Sequence, residues 1–118
     1  NMVYSNTSDS RLKTDLGVAT NTSVIDRTVI HDFEWKEHGI KDRGVFAQEA
    51  IEVIPHAVAK GSDELNDDGN PVSPWGVDYS KYVPDIIVYC QQLNKTVQDL
   101  SSKLDAAEAR IAALEGAK

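Results

Sequence analysis

The residues best suited to chemistry lie near the start of the chain, in the segment Ser8-Asp9-Ser10-Arg11-Leu12-Lys13. A serine hydroxyl is a weak nucleophile until a base removes its proton, and a neutral lysine amine can be that base. A lysine is neutral near pH 7 only where desolvation or nearby positive charge favours the uncharged amine. Arg11 could supply that charge, whereas Asp9 would oppose it unless its carboxylate faces elsewhere. The segment therefore suggests a catalytic Ser8/Lys13 dyad, with Asp9 and Arg11 in support.

The spacing of the two dyad residues restricts how they can meet. Five residues on an α-helix rotate through about 500°, so Ser8 and Lys13 do not share a helical face. The dyad therefore requires a turn between them, or a lysine from another protomer. The structural alternative is that Ser8, Asp9 or Ser10 caps a helix running through Leu12. The residue types alone leave both interpretations open.

Length, charge and cysteine content restrict the classes of function. With 118 residues the chain can form one compact domain and an extended element. A formal net charge of −7 disfavours nucleic acid as a partner, because phosphate binding needs a basic face. The longest apolar run, Ile86–Cys90, is far too short to span a bilayer, so we expect no membrane partner. One cysteine and three scattered histidines fit no zinc spacing, and we expect neither a metal nor a cofactor.

An alternating segment is the first indication of a folded head. One face of this segment would carry Val29, His31, Phe33 and Trp35. The other face would carry the charged residues Asp32, Glu34 and Lys36. A period of two residues predicts a half-buried strand. Gly39 and Gly44 are predicted to bracket a turn after it.

A short helix and two more strands are predicted downstream. Apolar residues recur at helical spacing from Phe46 to Val53, and Pro55 ends that helix. Further short strands are predicted at Ala57–Ala59 and Trp75–Tyr79. Between them, Ser62–Pro74 is rich in Asp, Asn, Gly and Pro, which predicts an exposed loop.

The acidic loop does not fit a calcium site. If Gly69 took the sixth position of an EF-hand loop, the twelfth position would be Trp75, where a bidentate carboxylate is required. We therefore expect a solvated loop without a metal ion.

The C-terminal third carries a heptad repeat. Apolar residues recur in steps of three and four, which predicts a left-handed coiled coil from Asp85 to Glu115 that stops at Gly116. Lys103 and Arg110 at g positions could pair with Glu108 and Glu115 at e positions of a parallel neighbour. The core positions alone do not separate a dimer from a trimer. The predicted interface residues are Val83, Ile86, Cys90, Leu93, Val97, Leu100, Leu104, Ala107, Ile111 and Leu114.

The order of the motifs resembles that of a known family. The segment from Ser8 to Lys13 is followed by Phe33-Glu34-Trp35, Gly44-Val45-Phe46-Ala47-Gln48-Glu49, Ile54-Pro55-His56-Ala57-Val58, Val77-Asp78-Tyr79 and the terminal coiled coil. Together they resemble the C-terminal intramolecular chaperone domains of bacteriophage tailspikes, endosialidases and tail fibres. Those domains form a family of self-cleaving Ser/Lys peptidases.

The resemblance implies an α+β fold and three segments. Residues 1–7 would be the end of an upstream fibre or spike, and residues 8–80 a small mixed α/β head with chaperone and autoprotease roles. Residues 81–118 would form a long helix of a parallel trimeric coiled coil. Carried over by position, Ser8 is the nucleophile, Lys13 its general base and Thr7–Ser8 the bond that is cut. Gln48 and Glu49 match the family motif, but on a short predicted helix we assign them a structural role.

The resemblance also implies partners and a place of action. The partners are two further copies of the chain and the upstream fibre or spike domain, which is the folding client. The domain would act in the cytoplasm of the infected bacterium during virion assembly, and after release it would be absent from the mature virion. The alternative from another class is a non-catalytic trimerisation module of a fibrous protein. A Ser/Lys hydrolase acting on other substrates is disfavoured, because little chain remains to form a substrate pocket.

Overall fold

The computed structural model describes residues 6–117, so residues 1–5 of the expected upstream segment lie outside the described residues. A small head of short elements precedes one long helix, which confirms the predicted α+β class. The molecule is elongated, with a longest dimension of 81 Å. In chain order the elements are a 3-10 helix Ser10–Leu12, α1 Ser23–Arg27, β1 His31–Glu34, β2 Lys41–Gly44, α2 Ala47–Val53, a 3-10 helix Pro55–Ala57, β3 Val58–Ala59, β4 Gly76–Val77, a 3-10 helix Tyr79–Tyr82 and α3 Val83–Gly116.

The alternating segment forms one arm of an antiparallel hairpin. His31 and Phe33 in β1 are half-buried and the two residues between and after them are exposed, which confirms the predicted alternation. The connection after β1 contains Gly39, whose φ of 69° lies in the left-handed region that favours glycine. The prediction that the stretch up to Gly44 is a turn is wrong, because it is β2 and pairs with β1. The pattern gives no sign of β2, since Lys41–Arg43 are all exposed.

The core of the head lies where α2 ends. The helix predicted from Phe46 to Val53 is confirmed by α2, which stops two residues before Pro55. Proline lacks the backbone N–H that would continue the helix, and a 3-10 turn follows instead. Among the described residues, only four hydrophobic side chains are buried, so a single chain has a very small core. They are Ala50, Ile54, Ala57 and Tyr82.

The two short strands flanking the acidic loop pair with each other. β3 and β4 confirm the strands predicted around Ala57–Ala59 and Trp75–Tyr79, and Val58 lies opposite Val77. The loop between them is exposed from residue 62 to residue 74, as predicted. No group of three His, Cys, Asp or Glu side chains in the described part of the chain is placed to hold a metal ion.

The heptad segment is one continuous helix of 34 residues. Pro84 sits in its first turn, where an absent N–H breaks no helical hydrogen bond. The large side chains of the heptad stripe are 47% to 68% exposed in the single chain. A stripe of this kind is typical of a helix that associates with others. Within residues 6–117, no helix is long and apolar enough to cross a membrane.

Candidate functional site

Ser8 and Lys13 meet across a tight turn. The chain between them forms the 3-10 helix Ser10–Leu12 and then becomes extended at Lys13. Lys13 Nζ donates a hydrogen bond to Ser8 Oγ at 2.8 Å. Of the two arrangements that the spacing allows, the structure therefore has the turn, with both residues in the same chain.

Asp9 and Arg11 hold this turn. The Asp9 Oδ1 atom accepts the backbone N–H of Arg11 at 2.9 Å, so Asp9 is the N-cap of the 3-10 helix. The same carboxylate accepts hydrogen bonds from Arg11 Nε at 3.1 Å and Nη2 at 2.7 Å. The guanidinium holds the pKa of Asp9 below its ordinary value, and the carboxylate raises the pKa of Arg11. The structure thus contains both a helix cap, formed by Asp9, and the Ser8–Lys13 contact. The negative charge of Asp9 is paired with Arg11.

The turn is open to water in the single chain. Every residue from 6 to 20 is exposed, including Thr7 on the other side of the expected cleavage site. Leu12, Leu16 and Val18 in this segment are 75%, 95% and 93% exposed. One chain forms the contact between nucleophile and base, but it does not enclose it.

The later motifs meet one another in the head. The Val45 backbone N–H donates a hydrogen bond to Tyr79 Oη at 2.9 Å, which joins the motif that begins at Gly44 to the last one. The Asp78 N–H donates to the Ala57 carbonyl at 2.7 Å and joins the same last motif to the middle one. Glycine is required at position 44, because a Cβ atom there would overlap Tyr79 Oη. These motifs therefore have a packing role.

A histidine–glutamate pair that the sequence does not reveal joins β1 to α2. His31 Nε2 lies 2.7 Å from Glu49 Oε1, and the His31 ring stacks on Phe46 with centroids 4.0 Å apart. The paired residues are 18 positions apart, so no local spacing could indicate the contact. The position of Glu49 agrees with the structural role assigned to it, and its neighbour Gln48 is exposed on the same helix.

Comparison with known families bears directly on the segment that contains the dyad. The sequence pattern of a peptidase family described as chaperone of endosialidase matches residues 8–59. The match begins at Ser8 and ends with β3, a little under half of the chain, and it confirms the resemblance drawn from the motifs. No curated protein matches the chain.

The chaperone-of-endosialidase segment supports an intramolecular chaperone role, and its classification suggests a serine peptidase family. The segment includes the Ser8–Lys13 turn and the motifs through Val58. It stops before the Val77–Tyr79 motif and α3. Those later parts are nevertheless attached to it, through the hydrogen bonds of Asp78 and Tyr79 described above.

Proposed function

We propose that the chain joins three copies, promotes the folding of an upstream tail fibre or tailspike, and then releases itself by cutting the Thr7–Ser8 bond. The observation that carries this proposal is the 2.8 Å contact between Lys13 Nζ and Ser8 Oγ inside the segment that matches the family. Folding and release would take place in the cytoplasm of the infected bacterium during virion assembly. The released domain would then be absent from the mature virion.

The proposed cleavage needs only groups of this chain and one water molecule. Lys13, as a neutral amine, accepts the proton of Ser8 Oγ while that oxygen attacks the carbonyl carbon of Thr7. The bond from that carbon to the Ser8 nitrogen breaks, the nitrogen receives the proton from Lys13, and Thr7 becomes an ester on the Ser8 oxygen. Water then attacks the ester. Thr7 leaves as a carboxylate, and Ser8 regains its hydroxyl and begins the released domain.

The surface of the single chain supports assembly. Its accessible area is 10182 Å² for a mass of 13.0 kDa. A compact monomer of that mass exposes roughly 6,300 Å². The excess of roughly 3,800 Å² is comparable to the area that obligate assemblies bury, about 2,000 to 5,000 Å². The number of three chains rests on the family resemblance, and their parallel direction rests on the charges at the g and e positions of the heptads.

The chemistry of fibre folding explains why such a domain would be useful. Trimeric β-rich fibres depend on contacts that are distant in sequence, so registering three chains is slow and prone to error. A coiled coil holds the chains together and raises the local concentration of the segments that must pair. When the coil is cut away afterwards, the fibre stays folded because unfolding is slow.

The competing proposal is a trimerisation module without catalysis, and the exposure of Ser8 and Lys13 in the single chain favours it. The experiment is to express the chain with its natural upstream segment and to measure intact mass and the new N-terminus. We expect a product that begins at Ser8, and no such product from Ser8→Ala. The matched control is Ser10→Ala, an exposed serine in the same turn, which should be cut normally. Cutting of Ser8→Ala at the parental rate would leave only the trimerisation module.

A further inference from the structure

The stretch from Lys13 to the start of α1 forms an arm, which we define as residues 13–22, and all of it except Thr22 is exposed. Two aliphatic side chains, Leu16 and Val18, are almost fully in water. Gly17 has a φ of 103°, and its N–H donates to Asp15 Oδ1 at 2.8 Å. This local hydrogen bond makes a defined turn that holds Leu16 at its tip. The arm thus has a formed shape but no apolar surface of its own chain to cover its aliphatic residues.

An apolar groove lies where the head meets α3. Its volume is about 400 Å³, and Thr28 is its only lining residue that is neither aliphatic nor tyrosine. The groove therefore offers almost only apolar walls. The apolar and aromatic walls are Ile25, Ile30, Val45, Tyr79, Tyr82 and Ile86.

We propose that the arm of one copy docks in the groove of a neighbouring copy. Leu16 and Val18 occupy the groove. The inference rests on the proposed trimer and adds to it a second contact between copies, separate from the coiled coil. It also supplies the enclosure that the dyad lacks, because Lys13 lies only three residues before Leu16.

The position of the groove identifies a second copy as the occupant. Ile86 belongs both to the groove and to the d positions of the heptad stripe, so the groove continues the surface that neighbouring helices would cover. The excess exposed area of the chain is also larger than a single groove, as expected if several surfaces are covered by other copies.

The arm is long enough to reach its neighbour. It starts at α1, which packs against α3, and so it begins beside the coiled coil. Six residues from Thr22 back to Leu16 span up to about 20 Å when extended. Packed helices lie about 8 to 10 Å apart. The arm can therefore cross from one protomer to the next without moving the head.

The test is a disulfide between arm and groove. Both Leu16→Cys and Ile30→Cys are introduced in a Cys90→Val chain, so that no other thiol can compete. After mild oxidation, we expect covalent links between different chains on a denaturing gel, and a trimer by light scattering. The matched control replaces Leu16→Cys with Leu65→Cys, which places the thiol on an exposed leucine of the acidic loop. The control should stay unlinked.

The outcomes separate this inference from the proposed function. A trimer in which the Leu16→Cys chains stay unlinked, or link only within one chain, overturns the docking and leaves the proposed function standing. Equal linking of the Leu65→Cys control also overturns it, because the links would then reflect random collision. A protein that remains monomeric by light scattering overturns both the docking and the proposed assembly.

Discussion

Tyr79 accepts a hydrogen bond from the backbone of Val45, 34 residues earlier, with its phenol oxygen 2.9 Å from the amide nitrogen. Val45 lies between β2 and α2, and Tyr79 begins the 3-10 helix that runs into α3. The bond therefore fastens the hairpin and α2 to the base of the long helix. It acts together with the Asp78–Ala57 backbone hydrogen bond and the buried Tyr82 side chain at the same junction.

Tyr79→Phe should destabilise the protein by about 1 kcal/mol, because the Val45 N–H loses its partner in a half-buried position. The measurement is urea unfolding at a fixed protein concentration. Tyr89→Phe is the control, because it removes the same hydroxyl from a half-buried tyrosine on α3. An equal loss of unfolding free energy in both variants would show that the hydrogen bond to Val45 does not stabilise the protein.

Asp78 should make stability fall in acid. Its Oδ1 accepts the Ser80 hydroxyl at 2.6 Å and the Ser80 N–H at 3.0 Å, and these bonds hold the pKa of Asp78 below its ordinary value. Because the folded pKa is lowered, the contribution is complete above the unfolded value of about 3.9 and is lost as pH falls through the folded value. Asp78→Ala should be less stable than the parent at pH 7, and the gap should narrow below about pH 4. Asp63→Ala, an exposed loop variant, should show no such gap at any pH.

Leu100→Asp should dissociate the assembly. Leu100 is a d position, so the substitution would place one carboxylate per chain next to its copies on the axis of the coil. Light scattering should show the mass of a single chain at micromolar concentration. Ser102→Asp adds the same charge at the outer f position and should leave the mass unchanged. A trimeric Leu100→Asp protein would contradict the assigned register.

Cys90 reports on the register near the start of α3. Its thiol is free and exposed in the single chain, yet the heptad places it at an a position inside the coil. We expect an alkylating reagent to label it at least tenfold more slowly in the native assembly than after denaturation, because a buried thiol is hard to reach. Equal labelling rates in the two states would mean that the helix pairs in another register.

Lys13 should be required as a base and not only as a cation. Lys13→Ala should slow release at Thr7–Ser8 by a factor of about 100 or more. Lys13→Arg should not restore it, since arginine stays protonated. Lys36→Ala, at an exposed position in the hairpin connection, serves as the control, and full activity of Lys13→Arg would rule out the proposed base.

Elements whose signals are local could be predicted from the sequence. The heptads predict α3, and the apolar spacing before Pro55 predicts α2. Strand β2 is missed because its residues before Gly44 are all exposed, and α1 is missed because five residues are too few to show a helical period. Long-range pairs such as His31–Glu49 depend on the assembled fold and leave no trace in local spacing.

The candidate site also has a part that the sequence predicts and a part that only the structure shows. The types of Ser8 and Lys13 suggest a dyad, and their spacing requires a turn between them. The geometry of that turn depends on which group forms a hydrogen bond with the Asp9 carboxylate. In the structure the carboxylate binds Arg11, two residues on. It caps the 3-10 helix through the Arg11 backbone N–H and forms an ion pair with the Arg11 guanidinium. Sequence alone could name these residues but could not choose among their possible partners.

The contact between Ser8 and Lys13 has a consequence for the reverse reaction. If the Thr7–Ser8 bond is cut as proposed, Ser8 acquires a free α-amino group, which is largely protonated below about pH 8. That new ammonium belongs to the residue whose hydroxyl Lys13 touches, and a protonated amine has no lone pair with which to attack the Thr7 carbonyl carbon again. The product would therefore lack the nucleophile that the reverse step needs. Religation would be opposed at its first step, and the release would run in one direction.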